Sequence, residues 1–147
     1  MCIKGPEAAR EHKIFVYFPY QFSTMKVFQN SNHGVIMAIP SPKFYKDFIF
    51  MANDEGDAYH RHLKAQLRWL ITTLDEGQQW TEYFDVYNSG YIDMHVQFNS
   101  LQELIDIINS KDVSELKERQ LKITERTMSW HWREVEQKWD EFFEAIF

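Results

Sequence analysis

Tyr20, Gln21, Phe22, Ser23, Thr24 and Met25 sit in a row between an apolar run that ends at Pro19 and a segment with helical spacing. Two adjacent hydroxyls where a helix begins suit the binding of an anion. The first N–H groups of a helix point outward without partners, and the helix dipole favours negative charge there. The Ser23 and Thr24 hydroxyls can add hydrogen bonds. Either can equally serve as an ordinary helix cap. Tyr20 can stack on a flat ligand or pack at a sheet edge. Pro40-Ser41 repeats the pattern at the end of a second apolar run, and Ser41 is either a contact on the same rim or the cap of the helix that Pro42 opens.

Other polar residues carry less. His60 and His62 are two apart, so on a helix they point roughly 200° apart and cannot share a metal. The chain has no H-x₃-H or C-x₂-C spacing, and no metal is expected. His33 precedes Gly34 at a helix end, a structural position. His95 reads as projecting from the polar face of a strand. His131 lies between Trp130 and Trp132 and reads as a surface or stacked residue. Asp54, Glu55 and Asp57 are acids of the kind that work at glycosidic bonds, but beside Gly56 they read as solvated turn residues. Lys117-Glu118-Arg119 and Glu134–Glu136 read as a solvated helix face.

The elements that must hold these residues follow from periodicity. Ile14–Phe18 and Val35–Ile39 are near-continuous apolar runs, expected as strands covered on both faces. Between them a helix from Ser23-Thr24 buries Met25, Phe28 and Val27, and Gly34 closes it. Ser41-Pro42 opens a helix with Phe44, Tyr45, Phe48, Ile49 and Ala52 on one face. A further helix, capped by Asp57 and ended by Gly77, carries Tyr59, Leu63, Leu67, Leu70, Ile71 and Leu74. Trp80–Tyr87 is aromatic and without a clear period. Ile92, Met94, Val96 and Phe98 alternate with polar residues, the mark of a half-exposed strand at a sheet edge. Ser100-x-x-Glu103 is a capping box, opening a helix with Leu101, Leu104, Ile105 and Ile108 inward. Val113–Phe147 is a long charged helix in which Trp132, Val135, Trp139, Phe142 and Ile146 form a 3-4-3-4 seam.

The expected fold is α/β: a small, mostly parallel sheet of about three strands with flanking helices, half-Rossmann-like, with a long C-terminal helix. Strands alternating with helices imply right-handed crossovers. At 147 residues, residues 1–147 read as a single domain. A net charge of −6 argues against nucleic acid as a ligand. No apolar run approaches the roughly 18 residues of a membrane span. The first residues lack the apolar core of a signal peptide. Cys2 is the single cysteine, so no internal disulfide is possible, and the cytoplasm is the expected compartment.

The runs PYQFSTMKVFQ (19–29) and HGVIMAIPSPKF (33–44) resemble the nucleotide-sugar-binding half of GT-B glycosyltransferases. In a group of such proteins a strand leads into a P-Y-Q-x-S-x-M turn, then a helix, a glycine and a strand ending in P-S-x-x-F. Trp80–Tyr87 is similar to their aromatic insert, His95–Ile108 to their strand-and-cap segment, and the helix bearing Trp139 to their closing helix. The likeness spans most of residues 14–143.

The resemblance implies a nucleotide-sugar diphosphate held by Tyr20, Gln21, Ser23, Thr24, Met25, Gln29 and Ser41, as substrate rather than cofactor and without metal. Many donor domains place a glutamate on the ribose hydroxyls where Gln29 stands here. Glutamine can bond a diol without charge assistance. The resemblance also implies hexosyl transfer only if an acceptor domain from another chain completes the cleft. A second expectation is a non-catalytic interaction or homo-oligomerisation module, docking through the C-terminal helix and Trp80–Tyr87.

Overall fold

β2, Met37–Pro40, is the strand about which the chain is built. All four residues are buried, as its uninterrupted apolar run requires. β1, Phe15–Val16, lies parallel to it with Phe15 opposite Met37, and β3, Val96–Phe98, lies parallel on the other side with Ala38 opposite Val96. The sheet is thus three parallel strands in the order β1-β2-β3. The computed structural model describes residues 8–9, 11–22, 25–51, 58–74, 78–110 and 113–146. Among the described residues five α-helices accompany the sheet: α1 Met25–Asn32, α2 Pro42–Met51, α3 Ala58–Thr73, α4 Leu101–Asn109 and α5 Val113–Ile146. The α/β architecture, the parallel sheet, the edge position of the third strand and the long closing helix are those expected.

One face of the sheet packs Met37 and Ile39 against Val27 of α1, Tyr45 and Ile49 of α2, and the buried row Leu63, Leu67 and Leu70 of α3. On the other face Ala38 and Phe98 meet Leu104 of α4, with Phe18 and Phe44 packed alongside. α1 stops where glycine permits. Gly34 has φ +72°, its N–H donates to the Ser31 carbonyl, and the Val35 N–H donates to Asn30. That pair of bonds is the left-handed helix ending glycine favours. The Ser100 cap forms, while the return bond from Glu103 is made one residue before the one a capping box uses. Ser100 Oγ accepts from the Glu103 N–H at 3.1 Å, while the Glu103 carboxylate accepts from the N–H of Asn99 at 2.6 Å.

Several expectations are corrected. β1 is not covered on both faces: Val16 is 37% exposed, because β1 is an edge strand. Ile92–Met94 is a 3-10 turn rather than the start of β3, so the polar–apolar alternation there is a turn's, not a strand's. On α1 the buried residues are Val27, Asn30 and Ser31, whereas Met25 is exposed. Phe28 is half-buried, edge-on to Tyr91 at 5.1 Å. On α4 Leu104 is buried, but Leu101, Ile105 and Ile108 are exposed. Phe48 of α2 is likewise exposed. Ala52, Asp57 and Gly77 lie outside the described residues.

Candidate functional site

Parallel strands put their carboxyl ends on one rim, and each strand here runs on toward a helix. β1 leads through Pro19 and Tyr20 to α1, β2 through Pro40-Ser41 to α2, and β3 through Asn99-Ser100 to α4. Open α/β sheets bind ligands at such rims. Of the residues expected there, Tyr20, Gln21, Met25 and Gln29 are exposed. Tyr20 stands edge-on to Tyr17 with ring centroids 5.8 Å apart. Ser23 and Thr24 lie outside the described residues. Ser41 is buried and engaged: its Oγ accepts from the Phe44 N–H at 3.3 Å, and its own N–H donates to the Phe98 carbonyl at 2.8 Å. That last bond continues the β2–β3 ladder past Pro40, which has no N–H to give.

Two residues that sequence reasoning passes over hold the rim in shape. The Tyr45 hydroxyl donates to the Pro19 carbonyl at 2.7 Å, and the Tyr87 hydroxyl donates to the Pro40 carbonyl at 2.9 Å. Both tyrosines are fully buried, and burial pushes the Tyr87 phenol far above its usual range, with Tyr45 and Tyr17 adding to the effect. Tyr87 stays protonated, and both hydroxyls serve as donors. The signal available in the sequence is the hydroxyl itself, since a tyrosine on an apolar helix face needs a partner once buried.

Trp80–Tyr87 is core in its second half and exposed at Tyr83. Trp80–Tyr83 is a 3-10 turn, Phe84, Val86 and Tyr87 are buried, and the Asp85 N–H donates to the Phe22 carbonyl at 2.9 Å. Phe84 meets Phe22 edge-on at 4.6 Å. The buried part of the aromatic insert therefore underpins the Tyr20–Phe22 segment and leaves Tyr83 as its exposed ring. A cation also stands near the rim: Lys26, in the first turn of α1, has its Nζ 5.8 Å from the Phe15 ring centroid.

His95 is not on a polar face. It is buried, with neither ring nitrogen hydrogen-bonded, and burial lowers its pKa to about 4. His131 is half-buried among aromatic rings rather than stacked on one. Its Nδ1 lies 2.6 Å from the Tyr91 hydroxyl, and its ring is edge-on to Tyr91 and Trp132. The Tyr91 phenol is raised, first by burial and then by Asp85. Among the described residues no group of three or more His, Cys, Asp or Glu is placed to hold a metal. Asp54, Glu55 and Asp57 lie outside those residues. No described helix is long and apolar enough to cross a membrane.

Fold and rim together define an open parallel α/β domain. Comparison with protein-family models, curated proteins and solved structures gives no match to this chain.

Proposed function

We propose that this chain is a glycosyltransferase-like domain that binds the diphosphate of a nucleotide sugar at the Tyr20–Met25 loop. The observation that carries the reading is the rim itself. Three parallel strand ends lie side by side, each followed by a helix start, with Tyr20, Gln21 and Lys26 exposed beside the first. The N–H groups at the start of α1 would face the diphosphate, Lys26 would add charge, Tyr20 would offer a ring to the base, and Gln29 would reach the ribose. Ser41 supports the rim through its cap rather than by direct contact. Hexosyl transfer needs an acceptor-binding wall opposite the rim, which we assign to a separate domain.

Isothermal titration of the folded chain with UDP, GDP and their sugars tests this. Binding should appear in the micromolar to millimolar range. It should weaken about tenfold or more in Lys26→Ala, which removes the cation that would pair with the diphosphate. Absence of heat with every donor at millimolar concentration would sink the proposal.

A second reading, self-association, is favoured by one observation. Beyond the body of the domain, α5 carries Trp139, Phe142 and Ile146, each half-exposed and covered by no other element described.

A further inference from the structure

α5 is 34 residues long, about 51 Å, and only its first part is seated. Gln120 and Thr124 are buried, while Leu121, Met128 and His131 are half-buried where the helix meets α1 and the Ile92–Met94 turn. Taking about 100° per residue, Val135, Trp139, Phe142 and Ile146 all fall within about 60° of the direction of Thr124. The stripe that seats the helix therefore runs on, past the edge of the domain, as an aromatic ridge. Trp139, Phe142 and Phe143 touch one another, with centroids 5.7–5.8 Å apart. Trp139 is 55% and Ile146 56% exposed. An open hollow lies along this ridge, lined by Val135, Lys138, Trp139 and Phe142.

We propose that this ridge pairs with the same ridge of a second copy, antiparallel, about a two-fold axis between residues 140 and 141; the proposal rests on the self-association reading and specifies its geometry. Two arguments select it. The first is area. A large aromatic side chain presents about 150–250 Å², so Trp132, Trp139, Phe142, Phe143 and Ile146, each half-exposed or more, leave about 500 Å² of apolar surface. That is at the upper end of what monomers expose. Two copies joined would bury about 1,000 Å², the lower bound of a specific interface.

The second argument is steric. Each domain body sits on the same face of α5 as its ridge. A parallel pair would drive two bodies into one space, whereas an antiparallel pair sends them to opposite ends. In that arrangement the 3-4 spacing sets Trp139 against Phe142 of the second copy and Val135 against Ile146 of the second copy, twice over by symmetry. Ile146, the last residue described, then lies about one turn short of His131 of the second copy, where the other body begins.

Light scattering on the full chain at about 500 µM, a concentration chosen to populate a weak interface of this small size, should give twice the 17.8 kDa of one chain. Trp139→Glu and Phe142→Glu should each weaken the dimer about 30-fold or more with unchanged circular dichroism, since both side chains lie beyond the domain. Trp69→Ser, on α3, should leave the dimer intact. Orientation is read by disulfides in a Cys2→Ser background. Val135→Cys chains mixed with Ile146→Cys chains should cross-link. Ile146→Cys alone should not, because antiparallel pairing leaves the two positions about 16 Å apart, beyond the ~7 Å a disulfide spans. A monomer, or a dimer indifferent to Trp139 and Phe142, overturns both this proposal and the self-association reading. A dimer that links Ile146→Cys to itself overturns the antiparallel geometry and leaves self-association standing.

Discussion

Replacing His95 by leucine should flatten the acid side of this protein's stability curve. His95 is buried with both ring nitrogens unpartnered, and burial lowers its pKa to about 4 from an unfolded value near 6.5. The unfolded chain therefore binds a proton between these values that the folded chain refuses. Stability attributable to this group is full above pH 6.5 and declines as pH falls toward 4, where the loss levels off. At about 1.36 kcal/mol per pKa unit the whole loss is roughly 3 kcal/mol, of which about 2 kcal/mol falls between pH 7 and pH 5. Carboxylates elsewhere add their own slope, so the informative quantity is the difference between two proteins. Urea denaturation followed by tryptophan fluorescence at pH 7, 6 and 5 should show His95→Leu losing about 2 kcal/mol less than the native chain over that range. At pH 7 the variant should already be more stable by about 1–3 kcal/mol, because two unmade hydrogen bonds are replaced by apolar surface. Parallel pH profiles for the two proteins would refute the reasoning, and would mean that His95 finds a partner or reaches water.

Four further perturbations follow from the braces and caps. Tyr45→Phe and Tyr87→Phe each strand a buried carbonyl, at Pro19 and Pro40; each should cost about 1–3 kcal/mol in urea denaturation, and Tyr45→Phe should also weaken donor binding at the adjoining Tyr20 loop. Gly34→Ala forces a side chain into φ +72° with its Cβ 3.0 Å from Leu121 Cδ2; a loss of about 1–2 kcal/mol is expected from the backbone alone, read as a lower urea midpoint. Ser100→Ala removes the α4 cap and should cost about 1 kcal/mol, seen as earlier thermal melting with no change in the dimer.

What the sequence makes legible is whatever periodicity or capping chemistry states locally. β2 announces itself as an unbroken apolar run that no exposed strand tolerates. Gly34, Ser41-Pro42 and Ser100-x-x-Glu103 mark helix ends through single residues whose chemistry is specific. Facing is harder to read, because it depends on neighbours distant in the chain. Leu101, Ile105 and Ile108 have the spacing of a buried helix face, yet the sheet reaches only Leu104 and Ile107 of α4. His95 follows an alternating pattern that places it on the polar side, but the Ile92–Met94 turn breaks the alternation just before it. On the rim, exposure of Tyr20, Gln21 and Gln29 agrees with the pattern around Pro19. The hydroxyl braces of Tyr45 and Tyr87 join residues 26 and 47 positions apart, a relation no local window contains.

The rim and the aromatic ridge are distant features that share one element. α1 begins beside Tyr20, and its other end, at Ser31 and Gly34, rests on α5, where Leu121 fills the space a side chain at Gly34 would take. Anything that shifts the seat of α5 therefore pushes on α1 along its axis, toward the loop proposed to hold the diphosphate. The seat is polar for a buried surface: Gln120 and Thr124 lie inward, and the Gln120 amide is placed to donate to the carbonyls of Asp93 and Met94. A polar seat fixes register through hydrogen bonds more than through apolar area, so α5 has a defined position rather than a sliding one. Pairing at the far end of α5 would act on the rim only through that position. Seam substitutions that abolish the dimer without unseating α5 should thus leave nucleotide affinity unchanged, whereas Gly34→Ala, which disturbs the packing of α1 on α5 itself, should alter affinity in monomer and dimer alike.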